Sequence, residues 1–307
     1  MQIHFIKNYI CIIAFILVRT QLFAQCGCMS SITSGMLSPS TTIHAGTLRE
    51  GFLLINLLGN YTTGNKEYSS SRIVANSTVR EFWNATTSFS ASYGLTKRLT
   101  GIIGLNYVLV HNIKTYIFNY SNKGWNSAQI GAKYNIWFNP KENSEITIIA
   151  DFTLPLQNVQ DTTYLYLQPT TGAFAISPGL FFHKGYNKVE IDLFALWNST
   201  IWSNNAAKYR FGPVHQITLG ITKPISKIFS AGLFANLAYK DRDDLAGRTQ
   251  INSGFKTIAL SPQVLLNLNN LSLGLNFDIP IYKEYFGSQM TKEFSTSFSL
   301  NYKIDTN

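Results

Sequence analysis

Along the last stretch of the chain, hydrophobic and polar residues take strict turns. Phe294, Thr296, Phe298, Leu300, Tyr302 and Ile304 fall on one face, and Glu293, Ser295, Ser297, Ser299, Asn301 and Lys303 on the other. A period of two belongs to a β-strand, whereas at 3.6 residues per turn the same positions would smear around a helix. The pattern recurs over 125–137, where Ala128, Ile130, Ala132, Tyr134 and Ile136 alternate with Ser127, Gln129, Gly131, Lys133 and Asn135. Over 145–155, Ile146, Ile148, Ala150, Phe152 and Leu154 oppose Thr147, Asp151 and Thr153; over 188–198, Val189, Ile191, Leu193, Ala195 and Trp197 oppose Glu190, Asp192 and Asn198.

Weaker alternation marks 51–62, 80–93, 99–111, 173–183, 209–222, 228–240, 257–268 and 271–280, for about twelve strands in all. Short connections rich in turn formers (94–98, 139–144, 184–187, 223–227, 267–270) alternate with long polar ones (63–79, 112–124, 156–172, 199–208, 241–256, 281–292). An even number of strands with short turns on one side and long loops on the other predicts an all-β fold: a transmembrane antiparallel up-and-down β-barrel of about 12 strands, closed so that no backbone polar group is stranded in hydrocarbon. Two packed sheets in a soluble sandwich would need strands that are unusually long and numerous.

Composition supports the lipid-facing reading. Charged residues are only 13% of the chain and aromatics 14%, with a mean hydropathy of +0.02. After the N-terminus no apolar run is long enough to span a bilayer as a helix, so the low charge points to strands with one oily face. Tyr61, Trp83, Tyr93, Tyr107, Tyr134, Trp137, Trp197 and Tyr239 lie near strand ends, where they are expected to form girdles at the membrane interfaces. The net charge is +9; Lys7 and Arg19 belong to the leader, leaving about +7 spread without a basic block. Scattered positive charge suits outer-membrane lipid and lipopolysaccharide head groups, and the missing basic patch argues against nucleic acid.

Residues 1–24 read as a signal peptide: Lys7, an apolar stretch from Tyr9 to Val18, then Leu22-Phe23-Ala24 as a cleavage site. Residues 25–48 are expected to be an N-terminal periplasmic segment or partial plug, and 49–307 the barrel. Gln25 stands before Cys26 where a lipoprotein signal wants Gly, Ala or Ser, which argues against lipidation. Cys11 departs with the leader. The remaining Cys26-Gly27-Cys28 could hold a soft metal, close a strained local disulfide or bridge to another chain, although two ligands make an incomplete metal site.

The C-terminal third carries Asn252-Ser253-Gly254 opening a strand with Ser261-Pro262, then Pro280-Ile281-Tyr282, Gln289 in the last loop and Tyr302 near the end. Leu154-Pro155 and Pro178-Gly179-Leu180 look like earlier pieces of one pattern. In these features the chain resembles a family of outer-membrane transporters named after a phenol meta-degradation pathway protein. The resemblance implies a barrel, delivery by the outer-membrane assembly machinery and, loosely, transport. Such barrels usually finish on an aromatic residue, whereas here Asp305-Thr306-Asn307 follow Tyr302 and Ile304.

Enzymatic chemistry finds little support. Barrel lipid hydrolases resemble one another in a His-x-Ser pair; here His111, His183 and His215 are followed by Asn112-Ile113, Lys184-Gly185 and Gln216-Ile217, and the histidines are expected at interfaces or in loops. Asp241, Asp243 and Asp244 invite a calcium reading, but their spacing matches no loop motif and a solvated loop is expected. Lys133, Asp151, Glu190 and Asp192 fall on the inward face, where they must be wetted or paired, with Lys133 and Arg80 as available bases. Without a cofactor, the expected function is a channel for small-molecule solutes, with a structural or surface-contact barrel as the alternative.

Overall fold

The computed structural model describes residues 46–75, 79–159 and 168–306. Cys26, Cys28, the leader and most of the expected 25–48 segment lie outside the described residues. Twelve long strands form the body: β1 Phe52–Gly64, β2 Val79–Gly94, β3 Leu99–Thr115, β4 Asn119–Asn139, β5 Ser144–Pro155, β6 Ala175–Tyr186, β7 Ile191–Trp202, β8 Val214–Pro224, β9 Phe229–Lys240, β10 Phe255–Leu268, β11 Leu271–Thr291 and β12 Phe294–Asp305. Each pairs antiparallel with its sequence neighbours, and β12 returns to β1 with Leu57 opposite Leu300 and Phe52 opposite Asp305. The sheet therefore closes into an up-and-down barrel without a free edge.

The outer wall is apolar on every strand. Leu57, Phe89, Ile103, Ile130, Leu219 and Phe298 are each about two-fifths exposed or more, in an unbroken belt that water would penalise and hydrocarbon would not. Among the described residues no helix is long and apolar enough to cross a membrane. The inner wall is the complementary set, and in β12 it is Ser295, Ser297, Ser299 and Asn301, all buried. Of the expected girdle, Tyr61, Tyr93, Tyr134, Trp137, Trp197 and Tyr239 stand exposed on the outer face. Tyr107 is half-buried, its ring edge-on to that of the exposed Trp125 with centroids 5.1 Å apart.

Two connections expected as exposed loops are instead strand. Over 112–124, β3 and β4 continue to pair, Ile113 with Tyr120 and Lys114 with Asn119, around a tight turn in which the Phe118 amide donates to Thr115 Oγ1 at 2.8 Å. Over 281–292, β11 runs on to Thr291 because the short strand Lys66–Ser70 pairs with its far end. In both ribbons the strict alternation of apolar and polar residues that marks a strand in the sequence is missing.

The remaining long connections are built. Tyr209–Arg210, Asp244–Leu245 and Arg248–Thr249 form a small antiparallel sheet. Above the barrel Val159, Ala173, Tyr209 and Phe211 pack with Trp202 and Val214 from the strand ends. The polar centre of this platform is Asp243, 3% exposed: its carboxylate takes Lys240 Nζ at 2.7 Å, the Tyr209 hydroxyl at 2.7 Å and the Gly212 amide at 2.7 Å, while its own amide donates to Ser253 Oγ. The expectation of a solvated loop is corrected at Asp243. Asp243 turns inward, whereas Asp241 and Asp244 accept from the amides of Arg242 and Gly247, and among the described residues no group of acidic, His or Cys side chains could hold a metal.

Candidate functional site

Alternation along each strand delivers a polar lining to the barrel interior, and β1 through β12 all contribute to a chamber in its loop-side half, with a cavity volume of about 210 Å³. Its wall is made largely of amides and hydroxyls, among them Asn60, Asn106, Gln129, Asn198, Asn276 and Ser297; its loop end carries Trp202, Phe255 and Tyr285. Charges are few. Asp278 is held by Lys292 Nζ, receives the Ser261 hydroxyl at 2.6 Å and lies 3.4 Å from Asn236 Nδ2. Asp151, 7% exposed, lies against Gly131 of the adjacent strand, where a Cβ would overlap its carboxylate.

One step toward the short-turn end, the lining changes character. Leu196 and Phe194 follow Asn198 down β7, Phe234 follows Asn236 down β9, Ile149 follows Asp151 down β5, and Phe181 joins them from β6. The rings of Phe181 and Phe194 stack with centroids 6.2 Å apart, and Phe234 lies 6.4 Å from Phe194. Phe234 is fully buried because β8 offers Gly220 opposite it: any Cβ at Gly220 would fall inside the ring. On the far wall Leu58 and Leu265 point inward, and Thr147, Thr218, Gln263, Ser299 and Asn301 are all 2% exposed or less. A water-filled bore would leave those side chains wet, so the lumen is packed shut below the chamber.

The sequence-predicted inward charges are placed as follows. Lys133 on β4 is electrostatically coupled to Asp151 and Glu145, which face it from β5. Asp192, near the bottom of β7, contacts His183 Nε2 at 3.0 Å. Glu190 does not reach the lumen: it is exposed in the turn before β7, in the left-handed region at φ 53°, because the strand begins one residue later, at Ile191. Arg80 is also elsewhere, 4.2 Å from the centre of the Tyr116 ring on the projecting ribbons. Of the histidines, His215 stacks on Tyr239 at the outer face, as an interfacial residue would, whereas His111 is fully buried and His183 lies inside, stacked on Phe194. Among the described residues, the hydrogen-bond partner of His183 Nε2 is the Asp192 carboxylate.

At the short-turn end a strap crosses the inner wall. Gly46 lies against the Glu145 carboxylate of β5, the Leu48 amide donates to Thr100 Oγ1 of β3 at 2.8 Å, and Gly51 donates to the carbonyl of Gly94 at 3.0 Å before β1 begins. Glu145 and Thr100 are both on inward faces, so the chain reaches β1 from inside the mouth rather than from beside it.

Sequence reasoning missed the apolar layer and the Asp243 centre. The layer did leave a signal: Ile148-Ile149-Ala150, Leu180-Phe181-Phe182, Phe194-Ala195-Leu196-Trp197 and Leu233-Phe234-Ala235 are runs in which the alternation fails because both faces are apolar. One face meets lipid and the other a packed interior, as in any strand covered on both sides.

No protein-family model matches the chain, and no curated protein matches it. Among solved structures, the chain is similar to an outer membrane channel from Pseudomonas putida F1 at 11% identity, over 88% of this chain and 100% of the other, with a TM-score of 0.72. It is also similar to the translocator domain of the autotransporter NalP from Neisseria meningitidis at 8% identity, over 92% of this chain and 98% of that domain, with a TM-score of 0.51. At such identities the likeness is one of fold, and the fold shared is a closed barrel of the outer-membrane kind.

Proposed function

We propose that this protein is an outer-membrane channel for small polar solutes, held closed by the apolar layer beneath its chamber. The observation that carries the reading is the pairing of a polar chamber, lined from all twelve strands, with a layer of inward phenylalanines that seals it on one side. A barrel built only as a structural element has no need of a cavity above a seal. The lipid-facing belt supports placement in a bilayer, and the signal peptide expected over 1–24 supports export to the envelope. The particular transporter family suggested by the C-terminal motifs is in keeping with this function. The strap from Gly46 to Arg49 supports a role for residues 25–48 as a partial plug at the periplasmic mouth, since the chain leaves β1 across the inner wall.

Planar-bilayer recording of the purified protein tests the reading. Wild type is expected to conduct rarely. Phe194→Ala/Phe234→Ala is expected to raise open probability or unit conductance at least tenfold, and deletion of residues 25–48 to raise it further. A barrel that assembles but stays silent in all three forms would overturn the channel reading and leave the structural barrel in its place.

A further inference from the structure

Two of the short turns are built alike. Leu95-Thr96-Lys97-Arg98-Leu99 joins β2 to β3, and Ile225-Ser226-Lys227-Ile228-Phe229 joins β8 to β9. In each, the amides of the first two residues donate to the carbonyl of the fifth, at 2.9 and 3.2 Å in one turn and 2.8 and 3.0 Å in the other. The hydroxyl of the second residue accepts from the amides of the fourth and fifth: Thr96 Oγ1 from Arg98 and Leu99, Ser226 Oγ from Ile228 and Phe229. The hydroxyl thus serves the backbone, and the residues presented outward are an apolar one and a lysine. Leu95 is 52% exposed and Ile225 68%, with Lys97 and Lys227 exposed beside them.

Both turns hang from the oily wall. A Cβ at Gly101, in step with the outward Ile103 and Leu105 of β3, would meet Leu95 Cδ1 at 3.4 Å, so Leu95 folds back over the lipid-facing surface. At the other turn Ile221 and Phe229 are exposed on that wall, and Lys223 continues the outward face of β8 past Ile221. Each turn therefore adds two cations at the edge of the belt, Lys97 with Arg98 and Lys223 with Lys227, all exposed. Among the described residues none of the four makes an ion pair, and neither turn contains an acid. The turns between them in sequence differ: Lys141 neighbours Glu142, Lys188 stands near Glu190, and Lys184 reaches Glu142 at 3.8 Å.

An apolar side chain on hydrocarbon with two unneutralised cations just past it fits an anionic lipid, whose acyl chains meet the first and whose phosphate meets the long basic side chains. A free phosphate ion would leave Leu95 and Ile225 without a role. Four strands separate the two turns on either side of the barrel, so they lie across a diameter. We propose that they are paired docking sites for anionic phospholipid in the leaflet on the short-turn side, the periplasmic side in barrels of this kind, and that together they hold the barrel upright. The sites depend on placement in a bilayer and not on whether the barrel conducts.

The test uses the full-length protein in phosphatidylcholine vesicles carrying a trace of spin-labelled phosphatidylglycerol or of spin-labelled phosphatidylcholine. The fraction of label immobilised by the protein is expected to be at least twofold greater for phosphatidylglycerol, and the excess to disappear in Lys97→Gln/Arg98→Gln/Lys223→Gln/Lys227→Gln. Lys141→Gln/Lys188→Gln, which removes two cations from the intervening turns, is expected to keep it, as is inorganic phosphate at an ionic strength matched with chloride. Should the quadruple variant fail to assemble, Leu95→Ser/Ile225→Ser is expected to lower the excess by at least half. Equal immobilisation of the two lipids by wild type, an excess that survives these substitutions, an equal loss in Lys141→Gln/Lys188→Gln, or displacement by inorganic phosphate would overturn the proposal.

Discussion

Removing the carboxylate at the centre of the loop platform, by Asp243→Ala, should open the platform without unfolding the barrel. Lys240 and Asp243 have side chains only 6% and 4% exposed, so the substitution leaves a buried ammonium with no counter-charge. Breaking a buried pair from one side costs about 3–5 kcal/mol, and the Tyr209 hydroxyl and Gly212 amide each lose an acceptor worth about 1–3 kcal/mol more, though these losses are not additive. A platform of short strands and a few apolar contacts cannot absorb that, whereas the barrel, closed by twelve ladders, is untouched. Hydrogen exchange in micelles should then show at least a hundredfold loss of protection across 203–213 and 241–254, with β1–β12 unchanged. Replacing both partners, Lys240→Met/Asp243→Leu, should recover most of the protection. If Asp243→Ala leaves exchange in these segments as it was, or loosens the barrel equally, then Asp243 does not hold the platform together.

Gly220→Ala should destabilise the barrel by at least about 1–3 kcal/mol through overlap with Phe234, and Phe234→Ala by about 3 kcal/mol through the cavity it leaves. The double variant should cost less than the two added, a coupling readable from urea midpoints and absent if the two residues do not meet. Asp278→Asn should free the Lys292 ammonium within the chamber and move the reversal potential of the Phe194→Ala/Phe234→Ala channel toward anion selectivity; an unchanged reversal potential would show that Lys292 does not face the conducting path. At the rim, hydrogen bonding and charge from Glu293, 2.6 Å away, raise the Lys66 ammonium above its usual value of 10.5. A raised lysine stabilises below the unfolded value and loses that effect as pH climbs through the folded one, so Lys66–Ser70 should exchange faster above about pH 10.5 and show no step between pH 6 and 9.

Much of the barrel was legible because lipid on one side and water or packed polar groups on the other impose a period of two, as in Phe298-Ser299-Leu300-Asn301. Legibility stopped where that contrast stops. The ribbons at 112–124 and 281–292 lack a strict alternation and look like loops; Glu190 continues the alternation by one residue into a turn. Asp151 was readable as inward, but its seat against Gly131 depends on the register between β4 and β5, which is a tertiary fact. Asp243 was the hardest, since three acids in a polar loop look solvated until Lys240 and Tyr209 are brought to one of them.

The central claim is that β7 shows lipid one face and a polar chamber above an apolar seal the other. Spin labels introduced singly at Trp197 and Ile201, and at Asn198 and Thr200, in a background with Cys26 and Cys28 replaced by serine, test it most directly in proteoliposomes. The account predicts that the first pair is relaxed by oxygen dissolved in the bilayer and that the second pair is shielded from it. Equal accessibility of both pairs to the same reagent would contradict it.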